Sequence, residues 1–359
     1  MVTTTKELDQ TKVESFAGQM VGFMNGCALT LMSSIGHQTG LFDKMAELPP
    51  STSEEIAAAA GLNERYVREW LGAMTVGRIV EYDAATGKYS LPAEHAASLT
   101  RAAGPGNLAA FTQFWPEMGK IEQRLVESFR NGGGVGYEEY PRFVELMREE
   151  SAQVFDATLT DVTLELVPGL KQKLDTGIDV ADVGCGAGHA VNLMARAFPK
   201  SRFVGFDFSE EAIEFGRREA AEWGLKNAAF EEKDAADLGI NAKFDLVTTF
   251  DSVHDQARPV EMLNSIYAAL KPGGTYLCVD IAASSKLEEN MEHPMAPFMY
   301  SISTMHCMTV SLAYGGVGLG TVWGEQKALE MLADAGFVDV KVKQIEGDIM
   351  NNYYIAQKP

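Results

Sequence analysis

A glycine turn between two carboxylates, and two histidines further along the chain, are the residue types and spacings here that could do chemistry. Asp182 lies two residues before Gly184-Cys185-Gly186-Ala187-Gly188, and Asp207 follows the turn. Glycines let backbone N–H groups approach a ligand closely, and a helix N-terminus adds a partial positive field. A dinucleotide turn needs G-x-G-x-x-G so that pyrophosphate can sit on the helix N-terminus. Here the spacing is G-x-G-x-G, with His189 where the last glycine would stand. A carboxylate at Asp182 is poorly placed for pyrophosphate and well placed for an ammonium. Asp207 has the spacing of an acid that grips a ribose diol. An amine at one end and a ribose at the other, with no phosphate between, describe S-adenosyl-L-methionine.

The second set is His254-Asp255, four residues beyond the apolar run that ends in Phe250-Asp251, and His306-Cys307. A histidine near the reacting atom could take the proton of an acceptor hydroxyl. His254 is the first candidate for that base and His306 the second, with Asp255 a contact to cofactor or histidine. A metal held by His254, Asp255, His293 and His306 has no diagnostic spacing, and no metal is expected.

These residues need elements to position them. An apolar run from Ile178 reads as a strand leading into the glycine turn, and a helix is expected over 190–197. Further strands are expected over 202–206, 228–232, 244–250, 275–280, 338–344 and 353–357, with helices over 210–223, 260–270 and 325–335. Strand–helix alternation of this kind predicts a doubly wound, Rossmann-like parallel sheet of seven strands. Residues 284–324 break the rhythm, are rich in Met and Gly, and are expected to form a lid insertion.

The N-terminal hundred residues read differently. Helical spacing runs over 13–48, with breaks at Gly36 and Gly40, and Pro49-Pro50 stops it. Ser51-Thr52-Ser53-Glu54-Glu55 offers two overlapping capping boxes before a short helix at 56–60. A second helix at 64–76 and two short runs around the turn 83–87 complete a winged-helix pattern. Residues 1–100 hold 7 Lys/Arg against 12 Asp/Glu. That balance, in a chain of net charge −20, argues against nucleic acid and for a dimerisation or pocket-forming role. Residues 16–42 lack Asp, Glu, Lys and Arg, but their Gln, Asn, Ser, His and Gly suit a helix buried in protein or against a second subunit better than a bilayer span. The expected organisation is a winged-helix domain at 1–100, a helical connector at 101–150 bordering the substrate pocket, and a catalytic domain at 151–359. Four scattered cysteines without CxxC spacing and no signal peptide fit a reduced, cytoplasmic protein with no membrane segment.

Asp182-Val183-Gly184-Cys185-Gly186-Ala187-Gly188 resembles the first motif of the class I S-adenosylmethionine-dependent methyltransferases. Asp207 resembles that family's ribose acid, with Phe208 able to cover the adenine. Asp234-Ala235 resembles the pair at the adenine amino group, and Leu270-Lys271-Pro272-Gly273-Gly274 the turn before the fifth strand. The resemblance extends over 155–359 and implies cofactor contacts at Asp182, Gly184, Cys185, Gly186, Gly188, Asp207, Phe208, Asp234, Ala235, Phe250, Asp251 and Asp255. With the winged-helix start, the chain resembles small-molecule O-methyltransferases that form homodimers, and still more a mycobacterial winged-helix group. His254 is similar to the catalytic histidine of plant phenol O-methyltransferases, although Gln256 stands where those enzymes carry Trp and their orienting acids have no assured counterpart. The expected acceptor is a hydroxyl of an aromatic or lipophilic metabolite. A ligand-sensing regulator that keeps a cofactor fold is the competing reading, and a nicotinamide dehydrogenase is disfavoured by the missing third glycine.

Overall fold

The computed structural model describes residues 8–359. Contacts divide the chain into two compact units, residues 1–116 and 117–359, so that the segment 101–150 contributes to both.

The first unit opens with α1 (Gln10–Gln38), which passes Gly36 without a break; Gly40, whose φ is +71°, caps the start of the next helix. Gly36 lets the Trp70 and Phe42 rings pack directly on the helix, since a Cβ there would lie 2.6 Å from the Trp70 ring and 2.8 Å from Phe42. α2 (Leu41–Glu47), α3 (Ser53–Ala60) and α4 (Glu64–Val76) follow. Thr52 and Glu55 form the capping box, which starts α3 three residues earlier than expected. Ser51, the other candidate cap, pairs through its backbone with Tyr89. The hairpin is β1 (Glu81–Asp83) with β2 (Lys88–Ser90). Phe42, Trp70, Leu71 and Met74 fill the core of this unit. On α4, Arg65 and Arg68 pair with Glu69 and Glu64 of the same helix, so its cations are neutralised where a DNA-reading helix would present them.

The second unit carries β3 (Asp179–Val183), β4 (Arg202–Asp207), β5 (Ala228–Glu232), β6 (Phe244–Phe250), β7 (Leu270–Ile281), β8 (Val338–Lys343) and β9 (Asn351–Gln357). They form one sheet in the order β5-β4-β3-β6-β7-β9-β8. β3 to β7 are parallel, whereas β9 runs antiparallel to both β7 and β8. The sheet is therefore mixed at one end, where alternation alone suggests it is parallel throughout. β7 starts at Leu270: residues 271–274 bulge outward opposite Asp245, and pairing resumes at Thr275. Side chains alternate between two cores. Val183, Phe206, Val247 and Tyr276 pack on one face, and Val180, Leu246, Leu277 and Val279 on the other. Chain direction diverges on either side of β3, where strand order reverses, and such a switch point opens a crevice at the carboxyl ends of the strands. Among the described residues no helix is long and apolar enough to cross a membrane.

Candidate active site

The glycine turn is tied to the next strand before any ligand is considered. Gly184 and Cys185 both donate their N–H to the Phe206 carbonyl, at 2.8 and 3.0 Å. Gly186 donates to Asp207 Oδ2 at 2.8 Å, and Ser209 N–H reaches Asp207 Oδ1 at 2.9 Å. The ribose-type carboxylate is thus held in place by two backbone donors, while burial raises its pKa. All three glycines adopt positive φ. A Cβ on Gly184 would meet Ser252 at 2.6 Å, and one on Gly188 would meet Phe230 at 2.2 Å. The turn requires glycine at both ends for packing as well as for ligand approach, and the helix His189–Ala197 starts directly after it.

Asp182 sits beneath this turn, 2% exposed, with Oδ1 accepting the Thr248 hydroxyl at 2.7 Å. Burial, opposed by that hydrogen bond and assisted by Asp207, pushes its carboxyl up to about 7. Phe208 is half exposed, and its ring lies 5.1 Å from that of Tyr137. Ala235 is buried, whereas Asp234 is exposed and pairs with Arg258 and the Ala236 N–H. Phe250 packs edge-on against Phe155, and Asp251 holds the strained φ of +50° with its N–H donated to Val279.

The strongest polar pairing lies at the ends of β6 and β7. His254 Nδ1 is 2.7 Å from Asp280 Oδ1, and both residues are buried. Asp280 Oδ1 also accepts the Trp323 indole N–H at 3.0 Å and the Ile281 N–H at 2.8 Å. Burial works against a charged imidazole, but the Asp280 carboxylate and Cys307 outweigh it and hold the His254 pKa well above its usual value. With Nδ1 directed at Asp280, Nε2 is the ring nitrogen that the acid does not engage, and Cys307 lies within hydrogen-bond reach of the ring. Asp255 accepts the Tyr137 hydroxyl at 2.6 Å. His306 stacks on Phe143 with centroids 3.8 Å apart, and burial and the charge of His254 push its pKa down to about 3.

The four-residue metal grouping does not assemble. His293 is turned to the Ile349 carbonyl at 3.1 Å. Instead, ligand-type atoms of Asp251, His254 and Asp280 lie within 4.8 Å of one another. Sequence reasoning missed Asp280, Trp323 and Tyr137 as members of the site. The acid ending β7 carried the signal for Asp280, because neighbouring parallel strands bring their carboxyl ends side by side. Tyr137 had no such signal. It reaches Asp255 because Gly134 brings the chain against residues 309–313, where a Cβ would lie 1.9 Å from the Thr309 carbonyl.

A methyltransferase domain model matches residues 174–336, and one described as an Rv2258c-like winged HTH domain matches residues 27–101. The ubiquinone/menaquinone biosynthesis C-methyltransferase UbiE of Desulfotalea psychrophila is 30% identical over 174 residues, which cover 46% of this chain and 68% of the relative. The chain belongs to the S-adenosyl-L-methionine-dependent methyltransferases.

A fatty-acid O-methyltransferase of Mycolicibacterium smegmatis is 31% identical to this methyltransferase over 152 residues, 40% of this chain and half of the relative. Human N-acetylserotonin methyltransferase, solved with its methyl donor, shares the fold of the methyltransferase with a TM-score of 0.69 at 18% identity, covering 99% of both chains. An O-methyltransferase structure from Nostoc punctiforme gives 0.73 at 17% identity over 95% of this chain and 98% of that one. The cofactor of the methyltransferase is S-adenosyl-L-methionine, and the residues present fit it: a glycine turn that faces open space at Gly186, with Asp207 held at its edge by the Gly186 N–H.

Proposed function

We propose that the methyltransferase transfers a methyl group to a hydroxyl of a small aromatic or lipophilic acceptor. The observation that carries this reading is the buried His254–Asp280 pair at the carboxyl edge of the sheet, beyond the glycine turn. Bound S-adenosyl-L-methionine supplies a methyl group already activated by a sulfonium charge. The chain supplies position and a base. Holding acceptor and donor in line removes ~7–11 kcal/mol of entropic barrier. Neutral His254 would take the proton of the acceptor hydroxyl on Nε2, leaving the oxygen free to accept the methyl group that the bound cofactor would supply. Asp280 steadies the imidazolium that results.

In the same reading Asp207 holds the ribose, Phe208 covers the adenine and Asp182 attracts the ammonium end of the cofactor. A relative named for fatty acids and others named for quinones support a lipophilic acceptor. Calorimetric titration with S-adenosylhomocysteine tests the cofactor half: the folded protein binds it with one site per chain, and a flat titration would sink the proposal.

The first unit would make the homodimer. Phe16, Met20, Phe23 and Met24 recur at helical spacing on α1 and are 60%, 43%, 58% and 69% exposed. A contiguous apolar stripe of that kind marks an interaction surface. Light scattering should give twice the chain mass for the wild type and the single chain mass for Phe16→Glu/Phe23→Glu. A monomeric wild type removes the dimer.

A further inference from the structure

Around Asp251 the second unit has a partly open cleft of about 50 Å³, room for a small charged group with the rest of a ligand extending outward. Phe250, Val279 and Tyr353 stand in register on β6, β7 and β9 and form its floor. Val154 and Phe155 form a wall, and Glu150 and Asp251 are its charged lining residues. No lysine or arginine lines it among the described residues.

The two acids are unusual for their surroundings. Asp251 Oδ1 is buried and has no hydrogen-bond partner, and its carboxylate belongs to the group within 4.8 Å of His254 and Asp280. Asp280 Oδ2 is likewise buried without a partner, and so is Asn351 Oδ1 on the cleft wall. Burial raises Glu150 to about 7, its Ser151 hydrogen bond opposing and the charge of Asp348 assisting. A buried carboxylate without a donor is costly, and so is a pair of like charges around one cavity. Both costs are relieved by one ligand group that carries several N–H donors and a positive charge.

We propose that the methyl acceptor carries a basic amine, and that its ammonium is bound between Glu150 and Asp251 while its apolar body lies against Phe155, Phe250 and Val279. This rests on the proposed methyl transfer to a hydroxyl and narrows its substrate class. The aromatic walls suit the same ligand, since a ring face attracts a cation as well as an apolar body. A metal ion is the competing occupant of the acidic end. It would have to take a nitrogen of His254, whose Nδ1 is engaged with Asp280.

The test uses the full-length protein saturated with S-adenosylhomocysteine, so that failure to bind the cofactor product is recorded separately and counts against the methyltransferase site. Calorimetry at pH 8, where Glu150 is ionised, then compares matched pairs: tyramine with 4-ethylphenol, and octylamine with 1-octanol. The amine of at least one pair should bind about tenfold or more tightly than its neutral partner, the worth of one charge-assisted hydrogen bond. Glu150→Gln, isosteric and uncharged, should abolish that preference while leaving S-adenosylhomocysteine affinity unchanged. Amines that bind no better than their partners, or not at all, overturn the proposal, as does a preference that survives both Glu150→Gln and Asp251→Asn. Stoichiometric Zn²⁺ binding that Asp251→Asn removes and Glu150→Gln spares also overturns it and assigns the cluster to a metal.

Discussion

His254→Ala should lower kcat by about 10²–10⁴-fold with little change in S-adenosylhomocysteine affinity, because it removes a general base and no proposed cofactor contact. The pH dependence separates this from simple damage. His254 carries its proton to unusually high pH because the Asp280 carboxylate and Cys307 outweigh the effect of burial. A base that is protonated at neutral pH works only as that proton leaves, so kcat/KM of the wild type should rise with pH through the neutral range and into the alkaline. Asp280→Asn removes the charge that favours the imidazolium. Its ascending limb should therefore move to lower pH while the plateau falls, since the ring also loses its orienting acceptor. A structural defect alone would lower the plateau and leave the limb in place. An ascending limb that is unchanged in His254→Ala would remove the assignment of the base.

Gly188→Ala should be strongly damaging to the catalytic unit. The added Cβ would lie 2.2 Å from a Phe230 ring carbon and 3.1 Å from the Cα of Gly216, on a residue whose φ is +73°. Phe230 cannot retreat easily, because Gly205 and Gly216 already owe their smallness to the same ring. Overpacking of this kind costs ~1–3 kcal/mol, and a left-handed non-glycine residue of order 1 kcal/mol more. Urea denaturation should show a loss of ~2–4 kcal/mol, together with much weaker binding of S-adenosylhomocysteine. The companion Phe230→Leu with Gly188→Ala should recover part of the stability; a pair no better than the single variant would show that the ring is not the obstacle.

Most of the fold was legible because its signals are local. Apolar runs ending in Asp182-Val183, Asp207 and Phe250-Asp251 marked the strands and placed their carboxyl ends together, which is where a doubly wound sheet binds its ligand. The antiparallel course of β9 was not legible, since a short apolar run carries no mark of its direction. The same contrast runs through the site. The glycine turn and Asp207 are close in sequence and read as one motif. Asp280 partners His254 across two strands, and Tyr137 reaches Asp255 through a non-local contact that depends on Gly134. Spacing cannot reveal a contact of that kind. Glu150 was silent for another reason: on a helix an acid looks solvated until the cleft beside it is seen.

The position of β9 has a consequence for biosynthesis. The strand inserted between β7 and β8 comprises residues 351–357, so β8 has no neighbour until it arrives. A nascent chain paused after β8 holds a six-residue strand with both edges open, and the floor that Tyr353 gives the cleft is absent. The catalytic sheet therefore closes only once this late segment has left the ribosome, and until then the exposed edge of β7 is a site for chaperones to shield.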